Sequence, residues 1–270
     1  EHILRAEGEN MNGAEALLRS LTEYDVKHVF GLPGDTSVPL YDALYHMRNQ
    51  IRHVLTRDER GAAFMADAYA RVSFKPGVTD APSGGGALYV IPGIAEAYGS
   101  SIPLLAITTD ISVGETGKGT LTELDQCALF DSITKWTTLV TDPRRIPEMV
   151  RRAFRIATSG KPGPVHLAIP KDVLDGRVEA KIGAEKEFST YPSMRTHPNP
   201  ASIKRAASLL ARAQLPVIVA GGGVIISQAW DELTQLAEFL AIPVGTTLTG
   251  KGAIREDHPL SLGVVGDNGA

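Results

Sequence analysis

Arg57-Asp58-Glu59-Arg60-Gly61-Ala62-Ala63-Phe64-Met65-Ala66-Asp67-Ala68-Tyr69-Ala70-Arg71 carries an acidic turn directly into an alanine-rich run, and Val54-Leu55-Thr56 just before it is a short apolar and β-branched stretch. A strand that ends in Asp-Glu and passes into small residues at helical spacing is a strand-to-helix junction. Asp58 stands where a helix is capped, and Glu59 stands in the positive end of its dipole. Two more glycine-bearing loops flank this junction. Val29-Phe30-Gly31-Leu32-Pro33-Gly34-Asp35 lies upstream and Ala81-Pro82-Ser83-Gly84-Gly85-Gly86 lies downstream. Three such loops at comparable strand ends point to one shared site.

Outward from the junction, helical spacing over 13–24 leads to a strand over 27–30, a helix over 38–47, a strand over 52–57 and a helix over 61–71. Strands alternating with helices make a parallel, doubly wound α/β sheet. After a segment over 77–81, the Ser83 turn and a further helix, Ile102-Pro103-Leu104-Leu105-Ala106-Ile107-Thr108 reads as a strand buried on both faces. A helix over 147–157 and a strand over 164–170 close this unit, placed at 11–182. Residues 1–10 read as an extension. Over 183–200 the pattern gives way to charge, Ser, Thr, Pro and Asn, a linker. A second βαβ unit follows over 201–270: a helix over 203–213, a strand over 216–220, Gly221-Gly222-Gly223, a helix over 227–240 and a strand over 242–247. It has too few strands to cover its helices and is expected to be an incomplete domain.

Composition narrows the class further. The 270 residues suffice for a sizeable core, and 27 basic against 31 acidic residues give a net charge of −4, so no polyanionic partner such as nucleic acid is indicated. One cysteine, Cys127, excludes an internal disulfide framework and fits a reducing, cytoplasmic compartment. It is expected to be a small buried apolar residue. No run reaches the roughly 18 apolar residues of a membrane span, and the first residues contain no apolar h-region of a signal peptide.

Taken together, Phe30-Gly31-Leu32-Pro33-Gly34-Asp35, the Glu59 junction and Pro82-Ser83-Gly84-Gly85-Gly86 resemble the thiamine-diphosphate (ThDP) enzymes related to acetolactate synthase, benzoylformate decarboxylase and pyruvate decarboxylase. The resemblance runs from about Met11 to the last residue. It implies a flavodoxin-like pyrimidine-binding domain at 11–182 and the first part of a Rossmann-like central domain at 201–270. A third, carboxy-terminal domain, in the same chain or a partner, would hold the diphosphate through Mg²⁺ with a Gly-Asp-Gly and a later Asn. Gly266-Asp267-Asn268 imitates the start of that motif without its second Gly and reads as a loop. No metal ligand is assigned here. The resemblance also implies a 2-oxo acid substrate, decarboxylation and/or carboligation through an enamine, and a homodimer or homotetramer with cofactor between subunits. Some such relatives bind FAD across the central domain and others do not.

Residue by residue, the resemblance makes Glu59 the carboxyl that hydrogen-bonds the pyrimidine N1′ and favours the imino tautomer needed to ionise the thiazolium C2. That chemistry wants a carboxyl in a largely apolar pocket. Local sequence alone supports the helix-dipole role instead. Asp35 is either a proton relay beside C2, as in pyruvate decarboxylase-like members, or a cap of the helix that follows. Pro33 and Gly34 shape the turn that brings backbone to the cofactor. Pro82, Ser83, Gly84, Gly85 and Gly86 match the loop along the aminopyrimidine ring, the three glycines allowing close approach and positive φ. Departures weaken a substrate assignment. Pro82 stands where benzoylformate decarboxylase-like sequences have His, and Tyr89 where acetolactate synthase-like ones have Asn. The seven histidines contain no His-His pair. Leu121-Thr122-Glu123-Leu124-Asp125, with Lys135-Trp136, is nearest to the benzoylformate decarboxylase pattern, and the Gln that acetolactate synthase-like members carry near Thr122 is missing.

Other motifs are set aside. Gly245-Thr246-Thr247-Leu248-Thr249-Gly250-Lys251-Gly252 lacks the final Ser or Thr of a P-loop. Gly221-Gly222-Gly223 has no third spaced Gly or acidic ribose ligand, which leaves a dinucleotide-dependent dehydrogenase as a minor reading. His28, His53 and His166 fall in strands as hydrogen-bonded structural residues, His28 closest to the site. A non-catalytic fragment or scaffold is the remaining alternative.

Overall fold

In the computed structural model, which describes residues 9–266, Asn12 starts the first helix. Its side chain accepts the Glu15 N–H at 2.8 Å, and the Glu15 carboxylate accepts the Asn12 N–H at 3.2 Å, a capping box that satisfies two otherwise orphaned donors. From there strands and helices alternate: β1 (Glu9–Asn12), α1 (Gly13–Glu23), β2 (His28–Gly31), α2 (Val38–His46), β3 (Arg52–Leu55), α3 (Glu59–Ser73), β4 (Gly77–Ala81), α4 (Gly85–Tyr89) and α5 (Ile91–Ser100). They continue as β5 (Leu104–Asp110), α6 (Gln126–Asp131), β6 (Thr137–Leu139), α7 (Ile146–Thr158), β7 (Val165–Pro170), α8 (Lys171–Asp175) and β8 (Arg177–Ala180).

Six strands form one sheet in the order β3-β2-β4-β5-β7-β6, each neighbouring pair parallel. This is the doubly wound α/β sheet expected. All seven residues of β5 are buried, and they divide between the two faces. Leu105 and Ile107 pack with Leu17, Leu21 and Phe154 of α1 and α7, whereas Leu104 and Ala106 pack with Ala62, Ala66 and Ile94 of α3 and α5. A strand between two helical layers must be apolar on both sides. β6 was not foreseen, because three Thr/Leu residues carry no measurable period. β1 pairs with β8 in an antiparallel ribbon, Met11 opposite Val178. Of the extension expected over 1–10, residues 1–8 lie outside the described residues and Glu9 and Asn10 begin β1.

The chain divides into two compact units, Glu1–Met194 and Arg195–Ala270. The second contains α9 (Pro200–Arg212), β9 (Ile218–Ala220), α10 (Gly222–Ile226), α11 (Trp230–Leu240), β10 (Val244–Thr246) and β11 (Ser261–Val264), its strands ordered β11-β10-β9 and parallel. The helix expected over 227–240 is α11, which starts at Trp230, and a short helix not expected from the sequence, α10, precedes it at 222–226. Gln228 adopts φ 53° between them, which no continuous α-helix accommodates. Among the described residues no helix is long and apolar enough to cross a membrane.

Candidate active site

β2, β3 and β4 are parallel neighbours, so the loops that leave them lie at one edge of the sheet. After β2 the chain turns at Leu32-Pro33-Gly34. Ser37 fixes the turn reciprocally: its hydroxyl accepts the Gly34 N–H at 2.8 Å and donates to the Gly34 carbonyl at 2.9 Å. Neither Asp35 nor Thr36 is the cap residue of α2, which is Ser37. Gly34 packs so tightly on the β4 loop that a Cβ would lie 2.4 Å from the Pro82 Cβ.

The second loop follows β4. Of its three glycines only Gly84 is left-handed, at φ 67°; Gly85 and Gly86 already belong to α4. Gly86 serves by size. A Cβ there would lie 2.6 Å from the Pro82 ring and 3.2 Å from Glu59 Oε1.

The third junction opens α3. Asp58 is the cap, its carboxylate accepting the Arg60 N–H at 2.8 Å, and the Arg60 guanidinium holds its pKa down to about 2. Glu59 follows it into the helix and is only 9% exposed. Among the described residues its carboxylate has no hydrogen-bond or ion-pair partner. The residue is largely enclosed, but its oxygens are not among the buried atoms that lack a partner, so the carboxylate keeps an accessible edge beside Gly86.

Asp35 is placed differently. Its carboxylate is 94% exposed and lies 4.0 Å from Lys171 Nζ. It lines a cavity of about 610 Å³ with Gly34, Pro82, Ser83, Thr122 and Lys171. Glu59 is not on that wall; it meets the glycine loop at Gly86. Pro33 is exposed in its turn. The structure therefore joins Gly34, Asp35, Pro82 and Ser83 around one cavity, and Pro82, Gly86 and Glu59 at the other end of the same loop.

Two polar clusters here were missed by sequence reading. In one, hydroxyls meet: Thr36 donates to Ser83 Oγ at 3.2 Å, lies 2.7 Å from Thr109 Oγ1 and accepts the Ser83 N–H at 3.0 Å, while Ser83 Oγ lies 2.7 Å from Thr122 Oγ1. In the other, fully buried Asp80 accepts the Tyr41 hydroxyl at 2.9 Å and lies 3.3 Å from His53 Nε2. Burial pushes the Asp80 carboxyl up, against the opposing pull of His53 and Tyr41. An acid in the otherwise apolar strand 77–81 was the available signal. Gly31 faces it, and a Cβ there would sit 1.9 Å from Asp80 Oδ1.

The remaining candidates resolve simply. His53 and His166 are hydrogen-bonded structural histidines, the latter between Thr108 and Thr137. His28 stacks near Phe30 and Tyr69, and its buried Nδ1 lacks a partner among the described residues. Cys127 is half-buried, its thiol pushed up by burial. Lys251, in the P-loop-like run, pairs with Glu256. Among the described residues no group of three His, Cys, Asp or Glu could hold a metal ion; Asp267 and Asn268 lie outside them.

Residues 11–129 match the family described as thiamine pyrophosphate enzyme, N-terminal TPP binding domain, and residues 203–270 match its central domain. The probable acetolactate synthase large subunit of Methanocaldococcus jannaschii is 47% identical over 262 residues, 96% of this chain and 44% of that protein. The acetolactate synthase of Arthrospira platensis is 41% identical over 95% of this chain and 45% of its own length. The acetolactate synthase large subunit of Corynebacterium glutamicum is 39% identical over 97% and 41%. The chain thus spans less than half the length of these curated relatives. With two family matches laid over an α/β sheet whose β2 and β4 loops meet at Gly34 and Pro82, and whose β4 loop meets Glu59 at Gly86, the chain belongs to the thiamine pyrophosphate enzyme family.

Proposed function

We propose that this chain is the cofactor-activating part of a ThDP-dependent enzyme that acts on a 2-oxo acid, with carboligation of the acetolactate synthase type as its reaction. The names of its relatives support the substrate class. One observation carries the role of the site: Glu59 is a largely enclosed acid whose carboxylate makes no hydrogen bond or ion pair among the described residues and keeps an accessible edge against a loop whose Gly86 leaves no room for a side chain. A scaffold without chemistry has no reason to keep such a group.

When bound, ThDP supplies a thiazolium carbon that attacks the 2-oxo carbonyl. Glu59 would hold a proton at its carboxyl for the pyrimidine nitrogen of the bound cofactor. Pro82, Ser83, Gly84, Gly85 and Gly86 would bring backbone to the ring, and the Pro33–Gly34 turn, packed on Pro82, would wall the pocket. Asp35, exposed in the cavity and near Lys171, is the proposed proton relay, and its presence is what favours aldehyde release as a second outcome. In this reading 11–182 is the pyrimidine domain, 183–200 a linker and 201–270 the first part of the central domain. The diphosphate and Mg²⁺ are held on a further domain, FAD on the central domain is the less favoured of the two states that the resemblance allows, and the assembly is a cytoplasmic homodimer or homotetramer.

The test is Glu59→Gln in the full-length protein. An amide keeps the shape and cannot share the proton, so exchange of the cofactor's C2 proton, followed by NMR, should slow by roughly 10²–10⁴-fold while the fold is kept. An unchanged rate leaves Glu59 as a helix-dipole residue.

A further inference from the structure

Thr122 is a β-branched residue at φ 71°, a conformation its side chain disfavours and one retained where the surroundings over-determine it. Facing it is Gly84, also left-handed, so close that a Cβ on Gly84 would lie 2.7 Å from the Thr122 Cβ. What this backbone secures is the position of a hydroxyl. Thr122 Oγ1 lies 2.7 Å from Ser83 Oγ, which is linked through Thr36 to Thr109, so the chain runs from an exposed residue to a fully buried one. The loop carrying Thr122 is gripped from below, the Glu123 carboxylate accepting the N–H groups of Gly117, Gly119 and Thr120, the last two at 2.8 and 3.1 Å. Those bonds hold the Glu123 carboxyl below its ordinary range, as expected of an anion that anchors backbone.

Each hydroxyl in the chain has one proton and two lone pairs, so a chain of fixed length leaves hydrogen-bonding capacity at its open end. That end is Thr122, on the wall of the 610 Å³ cavity that Lys171 also lines. A carboxylate or carbonyl oxygen needs a donor and, in the first case, a nearby cation. Both are at hand.

We propose that Thr122, backed by Ser83, positions the substrate by donating its hydroxyl to an oxygen of the 2-oxo acid in this cavity. The inference rests on the proposed function above. It is tested in the full-length protein loaded with ThDP and Mg²⁺, with pyruvate as the probe. Thr122→Val keeps shape and branching without the hydroxyl, and Thr122→Ser keeps the hydroxyl without the methyl. Val should raise KM for pyruvate about tenfold, equivalent to about 1.4 kcal/mol, and weaken saturation transfer to the pyruvate methyl, the loss falling on KM more than on kcat. Ser should restore most of the binding. A merely structural Thr122 would lower thermal stability in both variants without that split. Should the Val variant not fold, Thr122→Ala must show the same rise in KM. An unmoved KM and pyruvate signal in the folded variant overturns the inference; normal C2 exchange in the wild type then leaves the proposed function standing, whereas a wild type that neither exchanges nor binds pyruvate overturns both.

Discussion

His166 is the second residue of β7 and has no exposed surface, its Nε2 2.7 Å from Thr108 Oγ1 and its Nδ1 2.7 Å from Thr137 Oγ1, its ring stacked on Phe130 at 3.9 Å. Burial penalises the imidazolium and pulls its pKa from the ordinary 6.5 to about 3. The unfolded chain therefore takes up this proton first as acid is added. The stability contributed by the neutral ring is full above about pH 6.5 and is lost as pH falls toward 3, with a limiting slope of about 1.4 kcal/mol per pH unit. His166→Gln cannot titrate, so its urea midpoint should fall less steeply than the wild type's between pH 6 and pH 4. Parallel curves would mean that some other group carries the acid sensitivity.

At the scale of elements, the alanine-rich character of α3 has a packing cause. Ala62, Ala63, Ala66 and Ala70 are buried against α5 and β4, where the approach is close enough that a Cβ on Gly93 would lie 2.5 Å from the Ala63 Cβ. A Cβ on Gly77 would lie 2.2 Å from the Ala66 carbonyl oxygen. Small residues on α3 let its first turn, and with it Glu59, sit low over the sheet edge. Gly93→Ala should cost roughly 1–3 kcal/mol in urea unfolding, because neither helix can yield without disturbing the other's backbone. It should also slow C2 exchange by moving Glu59. Gly99→Ala on the same helix meets nothing within 4 Å and should be neutral or slightly stabilising, which separates crowding from a general effect of alanine.

At the scale of the whole molecule, the two units differ in how much they bury. Every residue of β4, β5 and β7 is buried, whereas α9 buries none of its thirteen. Leu209, Leu215, Val219 and Phe239 of the second unit are exposed apolar side chains. Local opening costs little where few apolar contacts break. In hydrogen exchange of this 270-residue chain, the β5 amides should be protected about a thousandfold more than those of α9. Equal protection would show that the second unit is stabilised by contacts beyond its own core.

Caps, turns and short-range periodicity are written within a few residues, so the sequence by itself determined the alternation of strands and helices, the doubly buried strand at 104–108, the cap at Asp58 and the tight turn at Gly34. It also determined that three loops should meet, since parallel strands point their carboxyl ends one way. Sequence could not settle which of the three glycines would be left-handed, or that Ser37 and not Asp35 would stand at the N-cap position of α2 with its hydroxyl turned back to Gly34, since both depend on what the neighbouring loop leaves free. The insertion of β7 between β5 and β6 was equally hidden, because sheet order is set by long-range pairing. Only the tertiary structure decided that Glu59 lacks a partner and that the hydroxyls of Thr36, Ser83, Thr109 and Thr122 form one chain. Those contacts join residues 47 and 73 positions apart, and no local pattern records a meeting that depends on how the whole sheet is wound.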